Sequence, residues 1–243
     1  MGKGSYITKG PAVIPGLTLW LDASDTSTID ASSVSEWKDK SGNNNHATQL
    51  TGSNQPTSGT HTINGINGIY FDGVNHYISA NAIATLLTGS DVPFSMFVVF
   101  EPTDETPGSS EVLIGIGSST SNTPLIDLNQ VTDGTTSLLR RDNTASSSVI
   151  TQTAVSGPKI HVQAFSGTTV SVWVNGVLEN NEEAMDVGTL SLDRFTIGAL
   201  LRASVSNQYN GVIGQVLIYN RRLSDEEITF LTMESSNKWG ISS

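Results

Sequence analysis

This sequence predicts an all-β fold: two antiparallel sheets packed face to face as a sandwich, closed by one short helix near the C-terminus. Three observations carry the prediction. Short apolar or alternating runs recur along the 243 residues, as a sandwich of many short strands requires. Between them stand Asn64-Gly65, Asn67-Gly68, Asp72-Gly73, Asp133-Gly134, Asn175-Gly176 and Asn210-Gly211, pairs that tolerate the positive φ of tight hairpins. The composition agrees. Charged residues are only 14 %, Ser, Thr and Asn fill nearly a third of positions, and 37 % hydrophobic residues suffice for one sizeable core.

In chain order, residues 1–15 read as an extended N-terminal arm. Lys3 and Lys9 are its only charged side chains, and Gly10-Pro11 and Pro15-Gly16 keep it from regular structure. Tyr6, Ile7, Val13 and Ile14 supply apolar anchors, so the arm is expected to dock on an acidic partner, such as another copy of this chain. A loose terminus is the plainer alternative. Residues 16–243 form one domain, since no repeat, charge block or linker divides them. Strands are expected at 17–21, 69–71, 77–79, 94–100, 112–116, 125–128, 137–140, 160–165, 170–174, 195–197 and 212–219. Asn175-Gly176 marks the clearest hairpin, and in the strand before it Val170, Val172 and Val174 share one face while Trp173 points the other way. Ser224-Asp225-Glu226-Glu227 is a capping box that starts the helix, with its carboxylates at the positive end of the dipole. Ile228, Leu231 and Trp239 are expected to pack that helix on the sandwich.

Twelve basic against 23 acidic residues give a net charge of −11 with no basic stripe, which argues against nucleic acid and anionic membranes as partners. No apolar run approaches the roughly 18 residues of a membrane span. The absence of cysteine excludes disulfides, thiolate metal sites and cysteine nucleophiles together. The first residues lack the apolar core of a secretory signal, which predicts a protein that acts where it is made or leaves by a signal-independent route. Enzyme motifs are missing too: there is no Gly-x-Ser-x-Gly elbow and no His-Glu-x-x-His, and Gly115-Ile116-Gly117 is too short for a phosphate loop. His46, His61, His76 and His161 are scattered and read as loop or strand-surface residues. Glu182, Glu183 and Asp186 read as solvated carboxylates in a loop after the hairpin, so no catalytic residue is assigned and no enzyme is expected.

Two features point to ligands. The loop Asp39-Lys-Ser41-Gly-Asn43-Asn-Asn45-His46 offers one carboxylate and many neutral oxygens, the all-oxygen shell that Ca²⁺ favours, with Asp39, Asn43 and Asn45 as its ligands. The same residues can instead bond their own backbone amides as Asx turns. Trp173, on the polar face of its strand, and Trp37, beside Asp39, are candidate platforms for stacking a sugar, or side chains covered by a neighbouring element.

The chain resembles the laminin-G-like, concanavalin A-like jelly-roll family. The likeness rests on Gly16-Leu-Thr-Leu-Trp20-Leu-Asp22-Ala-Ser-Asp25, on Trp37 to Ala47, on Ile69-Tyr-Phe71-Asp72-Gly73, on Val172-Trp-Val-Asn175-Gly176 and on Gly211 to Ile228, in that order. It implies a jelly roll of the mostly non-catalytic kind found in adhesins, in glycan-recognition domains and in phage or bacterial surface proteins, several holding calcium near the loop matched by Asp39 to Asn45. Where relatives read Ile-Asp-Glu-Val in the last long strand, this chain reads Ile213-Gly214-Gln215-Val216. The leading expectation is a non-catalytic virion surface protein, a capsid decoration or tail adhesin, made in the host cytoplasm and docked on other virion proteins through its arm. The alternative is an extracellular, calcium-assisted carbohydrate-binding module.

Overall fold

The computed structural model describes residues 10–154 and 156–242. Local alternation builds the sheets. In Thr169–Val174 the three valines are buried, and Asn175 (φ 47°) and Gly176 (φ 82°) turn the chain back into Val177–Ala184. Such pairings give two antiparallel eight-stranded sheets. One, here the back sheet, runs Val177–Ala184, Thr169–Val174, Lys159–Phe165, Phe94–Pro102, Asn210–Tyr219, Ile66–Asp72, Thr57–Ile63, with Leu17–Asp22 also paired to Asn210–Tyr219. The front sheet runs Ser146–Ile150, Thr136–Arg141, Leu125–Gln130, Glu111–Gly117, Arg194–Ile197, Ile78–Ser79, Ala47–Thr48, Glu36–Trp37. Every run expected from the sequence overlaps one of these strands, and only Tyr77 of the run 77–79 lies outside it.

One continuous apolar core joins the sheets and includes Leu19, Phe71, Phe100, Ile116, Leu128 and Val216. His161 of the back sheet reaches Thr136 of the front sheet at 3.1 Å, and Gln163 Nε2 lies 3.1 Å from its Nε2. Because an amide nitrogen only donates, His161 Nε2 accepts and Nδ1 donates to Thr136. Burial pushes this imidazole down to about 3, so it is a neutral core residue and not the surface residue expected.

The C-terminal helix, Asp225–Trp239, starts on the capping box: Ser224 Oγ accepts from Glu227 N at 3.3 Å and Glu227 Oε2 from Ser224 N at 2.9 Å. It lies on the outer face of the back sheet and buries Ile228, Leu231 and Trp239. A second, five-residue helix at Ala82–Leu86 had no marker in the sequence.

Several expectations are corrected. Asn67-Gly68 and Asn210-Gly211 lie inside strands and make no turn. Glu182 and Glu183 belong to an edge strand, not to a loop. The arm ends earlier than residue 15. Ile14 is buried in the core of its own domain, Tyr219 Oη donates to Pro11 O at 3.1 Å, and Arg221 Nε donates to Pro15 O at 2.8 Å. Residues 10–15 therefore pack on the sandwich. Val13 stays exposed, and Lys3, Tyr6, Ile7 and Lys9 lie outside the described residues.

Candidate functional site

The loop after Trp37 is tied down by its own hydrogen bonds. Asp39 Oδ1 accepts from Trp20 N at 2.9 Å and Ser41 N at 2.8 Å, and Oδ2 accepts from Ser41 Oγ at 2.7 Å and Asn45 N at 3.0 Å. Asn43 Nδ2 donates to Leu17 O at 3.0 Å and Asn45 Nδ2 to Thr18 O at 2.8 Å. The three residues proposed as calcium ligands thus act as turn-formers that fasten the loop to the first strand. No cluster of three or more His, Asp or Glu side chains suited to a metal occurs among the described residues. The two candidate platforms are also covered. Trp37 is fully buried in the core, and Trp173, on the outer face as expected, is 6 % exposed beneath Ile228 and Thr232 of the C-terminal helix.

The front sheet carries a groove that neither signal announced. In Leu125–Gln130, Ile126 and Leu128 enter the core, so Leu125, Asp127 and Asn129 face outward. Across the ladder Asp127 is opposite Leu139 on one side and Gly115 on the other, while Leu125 is opposite Arg141 and Gly117. The two glycines are what make the site. A Cβ on Gly115 would sit 2.6 Å from Ala199 O, and one on Gly117 2.9 Å from Leu201 O. Without side chains there, the small hairpin of Leu200–Leu201 and Val205–Ser206 lies flat on the sheet and brings Leu200 and Arg202 beside Asp127. The result is a groove of about 230 Å³. Leu200 also joins Val112, Leu125 and Leu139 in a small apolar cluster outside the main core.

Its polar groups are held but not satisfied. Asp127 accepts from Asn129 Nδ2 at 2.6 Å, while Asn129 Oδ1 and Arg202 Nε are buried without a partner among the described residues. Arg141 and Arg202 converge on the carbonyl of Asn122, at 2.9 and 2.7 Å, and neither forms an ion pair with Asp127 among the described residues. Burial pushes the Asp127 carboxyl up to about 6, against the opposing pull of Asn129 and the two arginines. Burial, with repulsion from Arg141, holds Arg202 below its ordinary value.

That shift has a stability cost with a definite sign. The folded state binds the Asp127 proton more tightly than the unfolded chain, so stability falls as pH rises from the unfolded value of 3.8 through about 6. The full cost is on the order of 3 kcal/mol. Asp127→Asn should therefore be more stable than the natural protein at pH 8 and gain nothing at the acid end of that window, as urea unfolding at both pH values will read. An equal difference at both values would mean that the carboxyl titrates normally.

Solved structures place this architecture among known folds. The chain superposes on Trypanosoma rangeli sialidase in complex with sialic acid with a TM-score of 0.62 and 18 % identity, covering 95 % of this chain but only 34 % of the sialidase chain. A mutant of that sialidase displaying trans-sialidase activity gives 0.64 and 18 %, with 94 % and 34 % covered. The CBM40 of Ruminococcus gnavus IT-sialidase, bound to α2,3-sialyllactose, gives 0.53 and 18 %, covering 68 % of this chain and 92 % of the module. At such identity the shared property is the fold, which serves active sialidases and a separate binding module alike. These neighbours, sialidases and a sialidase-borne module, displace the expected virion protein with its capsid or tail partners. No curated protein sequence matches the chain significantly. A laminin-G family model, described as the concanavalin A-like lectin/glucanases superfamily, matches residues 71–229, about two thirds of the sequence, and the chain belongs to that superfamily.

Proposed function

We propose that the protein is a non-catalytic carbohydrate-binding module that holds a glycan in the outer groove of its front sheet. The observation that carries this is the pair of buried polar atoms without a partner among the described residues, Asn129 Oδ1 and Arg202 Nε, beside the Asp127 carboxyl and the apolar Leu139 and Leu200. Leaving such atoms unpaired destabilises a fold unless a ligand completes them. Two guanidinium groups against one carboxylate favour a glycan that itself bears a carboxylate. Sialyllactose, which the Ruminococcus gnavus module binds, is the first such ligand to try. Asp127 is the single carboxylate among the described residues that line the groove, whereas glycoside hydrolysis generally employs two, about 5 to 10 Å apart.

Calorimetric titration with sialyllactose, with a wider glycan array beside it, tests the reading. The natural protein should bind, Arg202→Ala should weaken binding at least tenfold, and mass spectrometry should find the glycan intact after prolonged incubation. Binding that is unchanged in Arg202→Ala moves the site elsewhere, and released sialic acid would end the non-catalytic assignment.

A further inference from the structure

A cavity of about 460 Å³ lies on the opposite sheet, between the C-terminal helix and the strands Leu17–Asp22 and Asn210–Tyr219. Trp20, Gln215, Leu231, Glu234, Asn237 and Lys238 line it. Its construction begins at Gly214 and Gln215 in the last long strand. A Cβ on Gly214 would lie 2.7 Å from the ring of Trp239, so the glycine lets that indole lie against the strand. Trp239 Nε1 then donates to Gln215 Oε1 at 3.2 Å, joined by Ser235 Oγ at 3.3 Å. An indole N–H can only donate, so it fixes which end of the amide is oxygen. Gln215 Nε2 is left as a donor with no acceptor among the described residues, on a side chain only 3 % exposed that borders the cavity.

The remaining groups define what fits. Trp20 and Leu231 form an apolar wall, and the Nε1 of Trp20 also lacks a partner among the described residues. Lys238 is committed to Asp22, which also holds Lys40, so its charge is already met. Glu234 has no ion pair among the described residues and offers an acceptor at the same cavity. A ligand must therefore present an acceptor to Gln215, a donor to Glu234 and a flat apolar face to the wall. A saccharide ring has hydroxyls that both give and accept, and C–H faces that pack on an indole. A carboxylated sugar would meet the Glu234 charge.

We propose that this cavity is a second glycan site, specific for a neutral monosaccharide unit, on the opposite face of the sandwich from the groove. It is independent of the groove's assignment. Two sites facing opposite ways would let one module engage two glycan chains, or two points on one, and so gain avidity without a new contact.

Glucose, galactose and N-acetylglucosamine, titrated separately into the ¹⁵N-labelled full chain, provide the test. At least one should shift the indole resonance of Trp20 and the side-chain amide of Gln215, and saturating free sialic acid should not displace it. Gln215→Leu and Glu234→Ala should each weaken that binding at least tenfold while circular dichroism stays that of the natural protein. Glu234 sits at the half-buried helix surface, so its variant folds even if the Gln215 variant does not. The proposal fails if none of the three sugars moves Trp20 or Gln215, if the shifts fall on Arg141 and Arg202, or if Glu234→Ala binds as well as the natural protein.

Discussion

Gly115→Val should abolish glycan binding in the groove while leaving the sandwich folded. The new Cβ would start 2.6 Å from Ala199 O and 2.9 Å from Leu200 Cα, both main-chain atoms that no side-chain rotation can move aside. The hairpin that carries Leu200 and Arg202 must lift off the sheet, which withdraws one guanidinium and one apolar wall from Asp127 together. Binding of sialyllactose should weaken at least tenfold, with a loss of stability of about 1 to 3 kcal/mol, the usual penalty for overpacking. Gly108→Ala is the matched control, because nothing lies within 4 Å of its missing Cβ, and it should change neither quantity. If Gly115→Val binds sialyllactose as the natural protein does, the hairpin is not part of the site.

The larger expected change in stability belongs to Trp239→Ala. The side chain is fully buried at the last turn of the C-terminal helix, lies over Gly214 and bonds Gln215. Its removal deletes the anchor that holds that end of the helix on the back sheet and leaves a void that the glycine opposite cannot fill. A loss of about 3 to 5 kcal/mol is expected from urea unfolding. Phe230→Ala, on the same helix but 37 % exposed, should cost about 1 kcal/mol or less by the same measure. Equal losses from the two would show that the helix is held by its general amphipathic character and not by this residue.

What the sequence reveals of this molecule follows from where its burial lies. Strands with core-facing alternation, such as Thr169–Val174 and Leu125–Gln130, announce themselves, and the capping box at Ser224 carries its own local chemistry. Of the strands left unannounced, the longer ones, Thr57–Ile63, Ser146–Ile150 and most of Val177–Ala184, all end a sheet, whereas Ala47–Thr48 lies inside one but spans only two residues. An edge strand has a neighbour on one side only and buries little, so its residues are polar and mimic a loop. The tryptophans mislead for a related reason. Trp173 does face away from the valines, but the helix that covers it arrives from 50 residues later in the chain, and periodicity within the strand cannot report that. The groove was hidden because its parts look ordinary singly. A polar pair in Leu125-Ile-Asp127-Leu-Asn129 and two glycines at alternate positions, 115 and 117, become a site only when the ladder sets Asp127 opposite Gly115. Outward glycines spaced two apart in an apolar strand are the pattern that could have found it.

The open edge formed by Val177–Ala184 bears on how many copies can share a small volume. A strand that ends a sheet offers unused backbone donors and acceptors, and two such edges from separate molecules would extend one sheet into the next. Here Glu182 and Glu183 are exposed along that edge, and Glu182 sits at φ 54°, a local distortion of the ladder. Antiparallel docking of a second copy would bring like charges together on a backbone already bent out of register. Copies of the protein can therefore be crowded side by side at high concentration and still resist polymerising through their sheets.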